Sequence, residues 1–241
     1  MQLELFYLNQ NLIMKMKFIK RVTVLLLASV GFLIGVSSCK KDEQVPVEKE
    51  EIRASLQFTE LQGTKGAGHG DHFHGVATAK EGVVTTVNFD ASGNALTKGA
   101  INFDAELAYK VDLKVYDEKG IEIQDNFVKN QATAGEYKAF LIGDKLIANA
   151  NTETNGGAIF QPRETDYADG TKVNGKYEMT GLKAFFTLGS ENKGKTKKLI
   201  YSLRKIEPGV KATIERVDLL DQGYAGKFKG ANVLELKFDI K

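Results

Sequence analysis

Apolar and polar side chains alternate one by one in four separate stretches of this chain. Ile52, Ala54, Leu56 and Phe58 form the first, Val83, Thr85, Val87 and Phe89 the second, and Tyr109, Val111, Leu113 and Val115 the third. Leu234, Leu236, Phe238 and Ile240 close the sequence in the same way. A period of two sends one side of an extended chain to a core and the other to water, as half-buried antiparallel strands require and helices do not. Further strands are expected at residues 73–78, 184–188, 199–206 and 210–217, and turn chemistry stands between them at Ser92-Gly93-Asn94, Lys119-Gly120, Asp169-Gly170 and Asn174-Gly175. Helical spacing is found only at residues 131–140 and 217–224, and residues 143–182, rich in glycine, read as loops and short hairpins. Within them FQPRETDY, residues 160–167, reads as a polar, aromatic loop. Residues 52–241 are therefore expected to be all-β, an antiparallel β-sandwich, immunoglobulin-like or related. The competing arrangement is a pair of smaller β-subdomains split near residue 150.

The first part of the chain follows another logic. Lys15, Lys17, Lys20 and Arg21 precede an apolar run at residues 22–36, too short for a spanning helix and of signal-peptide length. A start at Met14 or Met16 would suit this layout better than one at Met1. The run ends in Val36-Ser37-Ser38-Cys39, which resembles the lipobox of bacterial lipoproteins. That resemblance implies a signal peptide at 1–38, a lipid on Cys39 and attachment to the membrane. Residues 39–51 then form a charged tether. Its Lys40-Lys41-Asp42-Glu43 resembles the export signal that carries Bacteroidota lipoproteins to the outer face of the outer membrane.

Cys39 is the sole cysteine, so the domain has no thiol for a disulfide or a metal. The apparent basic balance also belongs to the leader. Residues 1–38 hold four basic residues and one acid, which leaves 29 basic against 30 acidic and a net charge of −1. No electrostatic footprint for nucleic acid remains.

All three histidines of the chain lie in one octapeptide, GHGDHFHG, at residues 68–75. With Phe73 in a strand, His72 and His74 project from one face and Phe73 from the other. The glycines beside His69 let the backbone bring its ring to the same point. Three neutral imidazoles suit Zn²⁺, with Cu²⁺ and Ni²⁺ as alternatives on ligand type. Asp71 either ligates directly or orients a ring. Water or a distant carboxylate (Glu60, Asp90, Asp104, Glu106, Glu164 or Asp166) is the candidate for a fourth donor.

His69-Gly70-Asp71-His72-Phe73-His74 resembles the HxxHxH pattern of streptococcal histidine-triad surface proteins. That resemblance implies zinc on His69, His72 and His74 and a part in zinc acquisition, with an outer-membrane metal uptake receptor as the expected partner. Those proteins carry several copies of the motif where this chain has one. Enzymatic plans fit poorly. A cupin would place a glutamate where Thr78 and Ala79 stand and would need a later histidine, and no HExxH occurs. The chain is thus expected to be no enzyme, although three histidines and an open position are also how catalytic zinc is held. The rival from another class is an adhesion or glycan- and nutrient-binding module with a structural metal. The lack of tryptophan weakens its glycan form.

Overall fold

A computed structural model describes residues 53–194 and 196–241. The leader, Cys39 and the tether lie outside the described residues. Ten strands are found among the described residues: β1 Ala54–Leu61, β2 Gly68–His69, β3 His72–Phe73, β4 Glu81–Phe89, β5 Ala108–Val115, β6 Tyr137–Gly143, β7 Ile159–Pro162, β8 Lys183–Thr187, β9 Lys197–Ile206 and β10 Gly230–Ile240. They form a five-stranded sheet in the order β4-β1-β5-β8-β7, a three-stranded sheet β10-β9-β6, and the small hairpin β2-β3. Every pairing between these strands is antiparallel, and the sheets do not close into a barrel.

The alternation sets the register. Leu56 stands opposite Val87 on one side and Leu113 on the other, so inward residues of three strands share one face. A slip of one residue would turn that whole set to solvent. From the second sheet Leu199, Tyr201, Leu203, Leu236, Phe238 and Ile240 meet them in one core. Phe238 of β10 packs its ring 5.9 Å from Phe58 of β1 and 6.0 Å from Phe89 of β4, which ties the two layers together. The molecule is an all-β sandwich of two antiparallel sheets.

Four expectations are corrected. The split near residue 150 does not occur: each sheet takes strands from both sides of it, and Glu48–Lys241 is one compact unit. The strand expected at 73–78 stops at Phe73, because Gly75 turns the backbone to φ +67°. Residues 210–217 hold no strand. They form 3-10 turns at Val210–Thr213 and Arg216–Leu220, which bury Lys211 in the first and Leu219 and Leu220 in the second. The helical spacing at 131–140 yields only Gln131–Ala134, since pairing of Tyr137–Gly143 with β9 supplies more hydrogen bonds than a lone short helix. In addition, residues 160–162 of the expected loop belong to β7, with Phe160 in the main core.

The irregular segment after Met179 is fastened by buried polar side chains. The Lys138 Nζ donates to the Met179 carbonyl at 2.8 Å, and the Lys211 Nζ to the Ala134 carbonyl at 2.6 Å and Thr180 Oγ1 at 3.0 Å. Glu164 Oε1 accepts from the Gly181 N–H at 2.6 Å, and the Tyr201 hydroxyl donates to the Gly181 carbonyl at 2.9 Å. Burial pushes the Lys138 ammonium down to about 8, with the Glu164 carboxylate opposing. Burial and then repulsion from Lys138 push Lys211 down to about 7. Both values lie below the ordinary lysine value of 10.5, so over that interval the unfolded chain binds more protons than the folded one. Stability then rises with pH from about 7 toward 10. The urea midpoint is expected to increase between about pH 7.5 and 9.5, and Lys211→Met to flatten the rise. A midpoint equally steep in wild type and variant would contradict this assignment.

Candidate metal centre

The octapeptide folds as the hairpin β2-β3, with His69 directly opposite His72 and Gly68 opposite Phe73. Gly70 and Asp71 make the two-residue turn. Gly70 takes φ +56° at the first turn position, where II′ hairpins call for glycine. The His74 N–H extends the pairing by donating to the Ala67 carbonyl at 3.0 Å.

One face of the hairpin is glued to the protein. Phe73 is buried with Leu61, Val76, Ala108, Ile159 and Phe185 in a satellite cluster. Ala184 and Phe186, the neighbours of Phe185 in β8, belong to the main core, so this cluster lies on the outer face of the large sheet. The ring of Phe73 packs 6.2 Å from that of Phe185. Gly68 allows the close approach, since a Cβ there would stand 2.6 Å from the Ile159 Cδ1 and that side chain would have to shift.

The opposite face presents the histidines. Ring centroids lie 5.9 Å apart for His69 and His72, 5.9 Å for His69 and His74, and 4.7 Å for His72 and His74. One nitrogen from each ring lies within 4.8 Å of the others, so the three could hold a metal ion. Imidazole nitrogens bind zinc at about 2.0–2.1 Å, which sets ligand separations near 3.3 Å in a tetrahedron. The remaining contraction is a matter of side-chain torsions, and His69 and His74 are exposed and free to make it.

The Asp71 Oδ1 lies 3.0 Å from His72 Nδ1. A carboxylate only accepts, so this contact places the proton on Nδ1 and leaves the Nε2 lone pair available to a metal ion. Of the two roles expected for Asp71, the geometry favours orienting a ring. Arg216, from the 3-10 turn Arg216–Leu220, puts Nη1 3.8 Å from the same oxygen. Nothing in the sequence near either residue announces this pairing.

The distant carboxylates are engaged elsewhere. Asp104 and Glu106 face Lys65 at 3.6 and 3.2 Å, Asp90 Oδ1 accepts from the Ser92 and Asn94 N–H groups, and Asp166 pairs with Lys172 at 2.5 Å. Glu164 is bound to Gly181 inside the protein. Among the described residues, no carboxylate joins the three histidines as a common ligand set. Glu60 is likewise outside it. A fourth donor would be water or a group from another molecule. A cavity of about 520 Å³ between Asp112, Glu122, Glu164 and Tyr167 lies away from the triad, and one of about 410 Å³ touches the hairpin by its Gly68 and Phe73 side only. Neither cavity is lined by an imidazole of the triad, and two of its three histidines are exposed.

Comparison of the chain with family models, curated proteins and solved structures gave no match.

Proposed function

We propose that this chain is a lipid-anchored envelope protein that binds Zn²⁺ through His69, His72 and His74 and captures or buffers the ion for uptake. The observation that carries this reading is the convergence of all three histidines of the sequence on one exposed face of a docked hairpin. The donor set supports zinc: three neutral nitrogens and no thiol suit a borderline ion better than a hard one such as Ca²⁺. The resemblance to histidine-triad surface proteins points the same way. Accessibility supports exchange, because an ion at an open surface site can pass to another ligand set. In this reading the receiving partner is an outer-membrane metal uptake receptor, and the lipid on Cys39 keeps the domain beside it.

The division of the core favours a carrier over a structural metal. No residue of the octapeptide belongs to the main core, so the two-sheet sandwich does not depend on an ion for its packing. Calorimetry on residues 48–241 is expected to give one Zn²⁺ per chain, weakened at least about tenfold by His72→Ala and abolished when all three histidines become alanine. Chelation should leave the β-sheet circular dichroism intact. The stability lost should follow RT ln(1 + [Zn]/Kd), about 2.7 kcal/mol when free zinc is 100 times Kd. Tight binding by the triple variant would remove the site. Global unfolding on chelation would make the ion structural and favour the adhesion or nutrient-binding module instead.

The anchor has its own check. One acyl chain holds a protein only marginally, whereas the two or three of a bacterial lipoprotein hold it firmly. Cys39→Ser should abolish incorporation of a labelled fatty acid and release the protein from membranes. A wild-type chain that incorporates no label would rule out the anchored form.

A further inference from the structure

The hairpin has two paired residues on each side, too little to stand alone in water. Besides the packing of Phe73, three side chains from remote segments grip its backbone. The Asn149 Nδ2 donates to the Gly70 carbonyl at 3.0 Å, and the Gly70 N–H reaches Asn155 Oδ1 at 3.4 Å. Gln161 of β7 accepts the Phe73 N–H on its Oε1 at 2.8 Å. Gly70 lies between His69 and His72, and Phe73 between His72 and His74. Each grip therefore falls between two of the ligating rings.

The grips are themselves held. Asn149 is 2% exposed, and its Oδ1 accepts the Gly157 N–H at 2.9 Å while its own N–H donates to the Ala158 carbonyl at 2.8 Å. Gln161 sits between Phe160 and Pro162, both buried, in a strand paired to β8. Neither amide needs an ion in order to be fixed.

From this we infer that Asn149 and Gln161 are positioning residues of the metal centre, holding the hairpin in ligating form before the ion arrives. The inference rests on the zinc reading of the triad. Its physical content is that metal binding rotates three side chains and does not order a glycine-rich loop. A loop that had to be ordered would charge its lost backbone entropy against affinity, whereas a preformed site does not. A segment with the four glycines of residues 66–75 and no such grips would instead loosen first when empty.

The test uses the full chain and Zn²⁺ alone, with affinity read by competition against a chromophoric chelator. Gln161→Leu removes the acceptor at similar size, and Asn149→Asp removes the donor to Gly70 while keeping an acceptor for Gly157. Each is expected to weaken zinc binding roughly tenfold or more, as loss of an outer-shell partner does. The melting temperature of the metal-free protein should stay close to wild type. The visible bands of the Co²⁺-substituted protein should shift, because the ring geometry changes. Gln161→Glu keeps an acceptor and should restore the wild-type bands.

Wild-type affinity and wild-type Co²⁺ bands in both substitutions would overturn the positioning role and leave the zinc site standing. So would a loss of affinity that merely tracks a loss of melting temperature with the bands unmoved. If Asn149→Asp fails to fold, Gln161→Leu decides alone. A wild-type chain that binds no zinc would overturn the zinc reading, and this inference with it.

Discussion

The burial of Phe73 among Leu61, Val76, Ile159 and Phe185 turns the histidines outward. On a strand, neighbouring side chains face opposite ways, so fixing Phe73 inward fixes His72 and His74 on the solvent side. Covering a phenylalanine contributes on the order of 1.5–3 kcal/mol, enough to hold a hairpin that is marginal by itself. The same residue thus supplies the attachment and aims the ligands. Gly68 completes the fit, because a Cβ there would press on the Ile159 Cδ1 and force that side chain to shift.

The sandwich beneath is built on the same alternation but on a separate core. Phe58, Phe89 and Phe238 interlock the two sheets, while the hairpin rests on the outer face of the larger one. A rigid platform with a small exposed attachment suits reversible occupancy, since the attachment can change its ligands without disturbing the platform. The buried lysines serve the platform. Lys138 donates to the Met179 carbonyl and Lys211 to the Ala134 carbonyl and Thr180 Oγ1, which ties the segment after Met179 to the sandwich at the cost of keeping two amino groups out of water.

Much of this was legible in the sequence wherever one face of a strand is buried. The alternation located β1, β4, β5 and β10, and the histidine spacing marked the cluster. The hairpin form of the cluster was also within reach: two residues, Gly70-Asp71, between two histidines are a two-residue turn. What failed had a common physical source. At 131–140 and 210–217 the inward residues are set by tertiary partners, β9 in one case and the buried Lys211 contacts in the other, and local spacing misreads both. Asn149, Gln161 and Arg216 reach the motif from 79, 88 and 145 positions away in sequence. No local pattern encodes such contacts, since an amide on a loop or strand looks like any other polar residue until the fold brings it to the hairpin.

X-ray absorption at the zinc edge of the loaded protein tests the central claim most directly, because it reads the ligands around the ion. Three imidazole nitrogens at about 2.0–2.1 Å, with one further light donor in a four-coordinate shell, are the result this account requires. A shell of oxygens, or one with fewer than three imidazoles, would contradict it.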